Sequence, residues 1–108
     1  MAKRQMKALE NFIQKIILDM IECEKKFMLE NGGDLNNFKG TLPDITFWQE
    51  DRLFISAECS YSQTCVADYY GEFRGGYPWI NEKIEKRAGE LGLFIEWQNP
   101  GCLAVYEA

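Results

Sequence analysis

A chain of 108 residues, 46% hydrophobic and 27% charged, reads as one soluble globular domain that buries roughly two thirds of its unfolded surface. Its net charge of −5 is spread out: residues 1–31 carry six basic and five acidic groups, residues 32–77 three and seven, and residues 78–108 three and five. No segment concentrates the Lys and Arg that a phosphate backbone demands, so nucleic acid is a disfavoured partner, and the charge is too small for a mimic of DNA.

The first apolar run lies beyond Lys3, Arg4 and Lys7 but is interrupted by charged and amide residues, so it does not read as a secretory signal. No window approaches the roughly 18 apolar residues of a membrane span. The four cysteines, Cys23, Cys59, Cys65 and Cys102, are expected to be reduced thiols in a cytoplasmic protein, because an aromatic-rich chain builds a core without staples.

The chain opens with a long amphipathic helix. Met6, Leu9, Ile13, Ile16, Met20, Cys23 and Phe27 recur at alternating spacings of three and four, and Phe12, Ile17, Ile21 and Met28 widen the stripe. Asn31-Gly32-Gly33 ends it. A helix of this length, about 40 Å at 1.5 Å per residue, spans the body and overhangs it. The stripe is expected to cover the chain's own sheet, with a homodimer through part of this N-terminal helix as the other use.

After a polar connection from Gly32 to Asp44, "ITFWQ" and "LFISAECS" read as two strands around Glu50-Asp51. Aligning Ile45 and Phe47 with Ile55, Ala57 and Cys59 sets Phe47 opposite Ile55 and calls for an odd-length loop. Trp48 and Phe54 then share the other face. "CVADYY", Cys65 to Tyr70, is expected to form a further strand.

A second helix is expected from near Pro78, with Ile80, Ile84, Ala88 and Leu91 buried and Gly92 at its end. "LFIEW" and "CLAVYEA" flank Gln98-Asn99-Pro100-Gly101, and a four-residue loop sets Trp97 against Cys102, Ile95 against Ala104 and Leu93 against Tyr106. The order α-β-β-(β)-α-β-β predicts a two-layer α+β fold. Its antiparallel sheet of four or five strands packs against a long N-terminal helix and a shorter second one.

Catalytic constellations are scarce. With no histidine there is no histidine-based triad, general base or imidazole metal site. Cys59 and Cys65 are spaced too widely for a zinc knuckle, so no metal is expected and no cofactor is called for. Glu58, Asp68, Glu72 and Glu96 belong to no acid–base motif. "GEFRGGYP" lacks the spacing of a phosphate-binding loop, and a single "RGG" is a weak sign of RNA binding.

What stands out is "ADYYGEFRGGYPWI", residues 67–80, which packs five aromatic rings, one arginine and three glycines between a strand and a helix. Tyr, Trp and Arg combine contact area with a polar handle and are enriched at binding hot spots. Tyr70, Phe73, Arg74, Tyr77 and Trp79 are therefore the expected partner-binding patch, with Trp79 in the first helical turn. The leading expectation is a non-enzymatic protein-interaction module, of the kind phages and mobile elements encode as inhibitors or accessory factors. Two alternatives stand beside it. One is a small-molecule site or minor enzyme in a helix–sheet pocket lined by Trp48, Trp97 and Tyr106; the other is a structural homodimer.

Overall fold

The computed structural model describes residues 2–33, 44–58, 60–69 and 79–108. Its elements are α1 (Lys3–Glu30), β1 (Thr46–Gln49), β2 (Arg52–Ser56), α2 (Ser60–Cys65), α3 (Glu82–Glu90), β3 (Leu93–Asn99) and β4 (Cys102–Glu107). The four strands form one antiparallel sheet in the order β1-β2-β4-β3, and the helices cover one of its faces. This is the expected two-layer α+β architecture; a short helix, Ser60–Cys65, precedes the anticipated fifth strand at 65–70, of which Ala67 makes only an isolated bridge among the described residues.

Helix α1 runs for 28 residues, nearly the whole 48 Å of the molecule's longest dimension. Its first turn is tied down where the Ala2 amide donates to Glu107 Oε1 at 2.9 Å. Its end is closed by Asn31, whose amide N and side-chain Nδ2 both donate to Phe27 O, and by Gly32 in the left-handed conformation at φ 73°. The buried stripe is Met6, Leu9, Ile13, Ile17 and Ile21, mainly an i, i+4 row. Ile16 and Met20 only half-bury, and Cys23 and Phe27 are exposed. The anticipated heptad seam thus peels off the body. An i, i+4 row winds around the helix by about 40° per step, because 3.6 residues make a turn, and it follows the twisted sheet beneath.

Both hairpins depart from the expected register by one residue. Glu50 and Asp51 form a two-residue turn with φ 50° and 64°, the primed geometry that suits strand twist. Phe47 therefore pairs with Phe54 instead of Ile55, and Trp48 pairs with Leu53. In the second hairpin β3 continues to Asn99 through an irregularity between Trp97 and Asn99. This puts Trp97 opposite Leu103, Ile95 opposite Val105 and Phe94 opposite Tyr106. A one-residue slip exchanges the two faces of a strand. Trp48 consequently lies on the helix side, while Phe47 and Tyr106 lie on the other.

Between β2 and α3 the chain also departs from expectation. Cys65 closes α2, and Val66 and Ala67, both fully buried, bond back to Ser62 O. Ala67 then makes an isolated antiparallel bridge with Ile80, and Asp68 N donates to Trp79 O at 3.1 Å. The start of α3 is set by Asn81, not by Pro78, which lies outside the described residues. Asn81 Oδ1 accepts from Lys83 N at 2.8 Å, and its Nδ2 donates to Cys65 O at 2.7 Å. Ile84 and Ala88 face the core as expected, and Gly92 at φ 73° turns the chain into β3.

The core lies between the helices and one sheet face. Leu9, Ile13 and Ile17 of α1 meet Leu53 and Ile55 of β2, Leu103 and Val105 of β4, and Ile84 of α3, all essentially without solvent access. Trp48, Ile95 and Trp97 pack around this cluster half-buried.

Candidate functional site

Four of the five residues of the expected patch, Tyr70, Phe73, Arg74 and Tyr77, lie outside the described residues. The fifth, Trp79, precedes α3 rather than belonging to its first turn. Its backbone sits at φ 59°, an uncommon conformation for a bulky side chain. It is held there by the Asp68 N–H on its carbonyl and by an edge-to-face contact with Tyr69, ring centroids 5.0 Å apart. Tyr69 makes a second such contact with Trp97 at 5.2 Å. The half-buried rings of Trp79, Tyr69 and Trp97 thus join the segment before α3 to the sheet.

The expected pocket trio is not brought together. Trp48 and Trp97 lie on the helix side, and Tyr106 projects from the opposite face. Trp48 is committed to a polar tie: its Nε1 donates to Glu10 Oε2 at 3.1 Å. The same oxygen accepts from Thr46 Oγ1 at 2.7 Å, and Lys7 Nζ donates to Oε1 at 2.9 Å. Burial pushes the Glu10 carboxyl up, but the bonds from Lys7, Thr46 and Trp48 and the charge of Lys7 outweigh it and hold it below its ordinary value. With both oxygens engaged and the ionised form favoured, Glu10 is a structural anchor and has no proton to give at neutral pH.

The sheet face that none of the described helices covers carries the surface that sequence reasoning missed. One row across it reads Phe47, Phe54, Ala104, Glu96. Phe47 and Phe54 stack with centroids 5.3 Å apart and planes 10° from parallel. Beside that row, Phe94 and Tyr106 stack at 5.3 Å and 22°. The Arg52 guanidinium lies 4.3 Å from the Tyr106 ring centroid, and its Nη1 donates to Val105 O at 3.1 Å. Gln98 Nε2 donates to the Tyr106 hydroxyl at 2.8 Å. Phe47 and Phe94 remain 38% and 43% exposed, Phe54 and Tyr106 are half-buried, and Ala104, between Phe54 and Glu96, is fully buried among its neighbours.

The rings on this face are pre-ordered by one another, and Arg52 is held by its Nη1 bond to Val105 O and by its place over Tyr106, so little side-chain freedom is left to lose on contact. A recess of about 540 Å³ continues the face around the end of the sheet, lined in part by Lys3, Asp51, Arg52, Phe94, Tyr106 and Glu107. The signal was present in the sequence as the alternation of Phe47, Gln49 and of Arg52, Phe54. Phe54 takes the face expected of it, opposite to that of Ile55, whereas Phe47 and Trp48 exchange faces because the turn is one residue shorter than the expected odd-length loop.

The described thiols Cys23, Cys65 and Cys102 differ in exposure. Cys23, on the helical stripe, is exposed, and Cys65 is buried. Cys102 is half-buried, and burial together with the charge of Glu58 pushes its thiol up. Among the described residues no group of three or more His, Cys, Asp or Glu is placed to hold a metal ion, and no helix is long and apolar enough to cross a membrane. Comparison with protein-family models, curated proteins and solved structures finds no match to this chain.

Proposed function

We propose that this chain is a small, non-enzymatic protein-binding domain whose contact surface is the open face of its sheet. The observation that carries the reading is the pair of stacked aromatic couples, Phe47–Phe54 and Phe94–Tyr106, on that face, one ring of each exposed, with the Arg52 guanidinium over Tyr106. Aromatic anchors around an arginine, pre-ordered and rimmed by polar Gln49, Glu96 and Gln98, have the composition of an interface centre. A helix-free sheet face ordinarily carries polar residues outward, so rings there call for a covering surface. An inhibitor or accessory role of the kind phages and mobile elements encode suits a domain that acts by covering a surface on another protein.

The test compares capture by the immobilised wild-type chain with capture by a Phe47→Ser/Phe94→Ser variant whose fold is checked by circular dichroism. A protein retained by the wild type and lost by the variant supports the assignment. Equal retention by both moves the binding surface off the sheet, and no retention by the wild type removes the reading.

A further inference from the structure

Beyond Ile21 the long helix leaves the body, and every residue from Glu22 to Gly33 is exposed except the half-buried Met28. This projecting end carries Phe27, 67% exposed, the barest large hydrophobic residue among those described. Phe27 continues the stripe Ile16, Met20, Cys23, whose first two members give only part of their surface to the chain's own core. Nothing in the described part of the chain covers the remainder.

The spacings along this stripe are four, three and four, which read the same in both directions. A second helix of identical sequence laid antiparallel about a two-fold axis between Ile21 and Glu22 therefore meets it in register. Ile16 faces Phe27 of the other copy, and Met20 faces Cys23, each layer occurring twice. This is the knobs-into-holes arrangement of an antiparallel coiled coil. The flanks agree with it. On the side away from the body, Asp19 and Lys26 both stand exposed, and neither forms an ion pair among the described residues. The same two-fold brings Asp19 of each copy beside Lys26 of the other. On the opposite flank Ile17 is buried in its own domain, so the helix has one open side for a partner. The seam ends at Glu30, which takes the next seam position with a charge. Leu18 and Leu29 lie on the far side of the helix and stay outside the pair.

We infer that the projecting end of α1 docks on a second copy of this chain, as an antiparallel two-fold helix pair through Ile16, Met20, Cys23 and Phe27, locked by reciprocal Asp19–Lys26 pairs. The overhang of each copy then lies along the part of the other's helix that packs on its own body. Four side chains from each copy make a contact below the size of a standard stable interface, about 1,200 Å² or more, so the dimer is reversible and concentration-dependent. It leaves the open sheet face free, and it stands or falls independently of the function assigned to that face.

Light scattering behind size exclusion, in reductant and across a concentration series, tests the pair. The wild type is expected to pass from monomer to dimer as concentration rises. Lys26→Asp, which faces Asp19 with a like charge twice, is expected to weaken the dimer about tenfold or more. Asp19→Lys combined with Lys26→Asp is expected to restore it. A wild type that stays monomeric throughout overturns the proposal, as does an unchanged dimer in Lys26→Asp. Direction is read by oxidation: Met20→Cys is expected to add a cross-link to Cys23 of the other copy. The two Cys23 thiols themselves are staggered by about 4.5 Å along the axis. Efficient Cys23–Cys23 coupling in the wild type, with none gained from Met20→Cys, means a parallel pair and overturns the register.

Discussion

Glu10 and Trp48 come from elements 38 positions apart, yet the Glu10 carboxylate accepts the Trp48 indole N–H at 3.1 Å and so ties the long helix to the first strand. The same oxygen holds Thr46 and the other holds Lys7, which leaves a 5%-exposed acid fully satisfied. This tie fixes which face of β1 meets the helix. With Trp48 and Thr46 turned inward, Phe47 has only the open face to occupy.

Removing the carboxylate leaves the Trp48 and Thr46 donors without an acceptor. Glu10→Ala is expected to cost about 3 kcal/mol in urea unfolding at neutral pH. The effect depends on pH in a defined direction. Because the folded carboxyl lies below its ordinary 4.5, its contribution is complete above that value and is lost as pH falls through the folded one. The stability gap between wild type and Glu10→Gln is therefore expected to narrow at acid pH. A gap of equal size at pH 7 and in strong acid shows that the charge is not its source.

The Glu50-Asp51 turn holds two non-glycine residues at positive φ. Asn-Gly is the pair that favours this turn, and the Lys3–Asp51 contact it removes, at 3.2 Å between exposed groups, contributes little. Glu50→Asn with Asp51→Gly is expected to stabilise the domain by about 1 kcal/mol and raise Tm by about 4–8 °C. A lowered Tm in a calorimetric scan means that something other than backbone strain governs this turn.

Asn81 both caps α3 and bonds the Cys65 carbonyl at the end of α2. Asn81→Ala is expected to cost about 2 kcal/mol, more than a cap alone, and Asn81→Ser to recover the capping part only. Thermal melts of the two variants separate the contributions, and equal losses show that the Cys65 bond is the part that matters.

Thiol reactivity follows exposure and thiolate fraction. Native protein pulsed with an alkylating reagent at neutral pH is expected to label Cys23 first, Cys102 slowly and Cys65 only on unfolding. Peptide mapping by mass spectrometry reads the order directly, and early labelling of Cys65 contradicts its buried placement.

Much of the fold was legible from local pattern. The spacing of Met6, Leu9 and Ile13 announced a helix, Asn31-Gly32-Gly33 its end, Ile84 and Ala88 the inner face of α3, and Gly92 its exit, because each signal rests on neighbours within one or two turns. The antiparallel sheet followed from short turns between β-rich runs. Registers were not legible to the single residue, since an alternating strand offers two faces of similar apolarity. Phe47 and Trp48 are equally good candidates for the inside until a partner for the indole N–H is known. The short helix Ser60–Cys65 carries no apolar period of its own, and Cys65–Tyr70 reads as strand on composition alone.

The chain's own sequence determined its two longer helices, its four strands, its turn sites and the absence of imidazole chemistry, since these depend on residue type and on periodicities of 3.6 and 2. Tertiary structure decided which aromatic residues are inside. The two-residue turn at Glu50-Asp51 and the irregularity between Trp97 and Asn99 shift each hairpin by one position. The carboxylate of Glu10 then holds Trp48 on the helix side. A single step along a strand reverses the direction of every side chain, so these few contacts, distant in sequence, moved Phe47 and Tyr106 from the expected core and pocket onto the bare face.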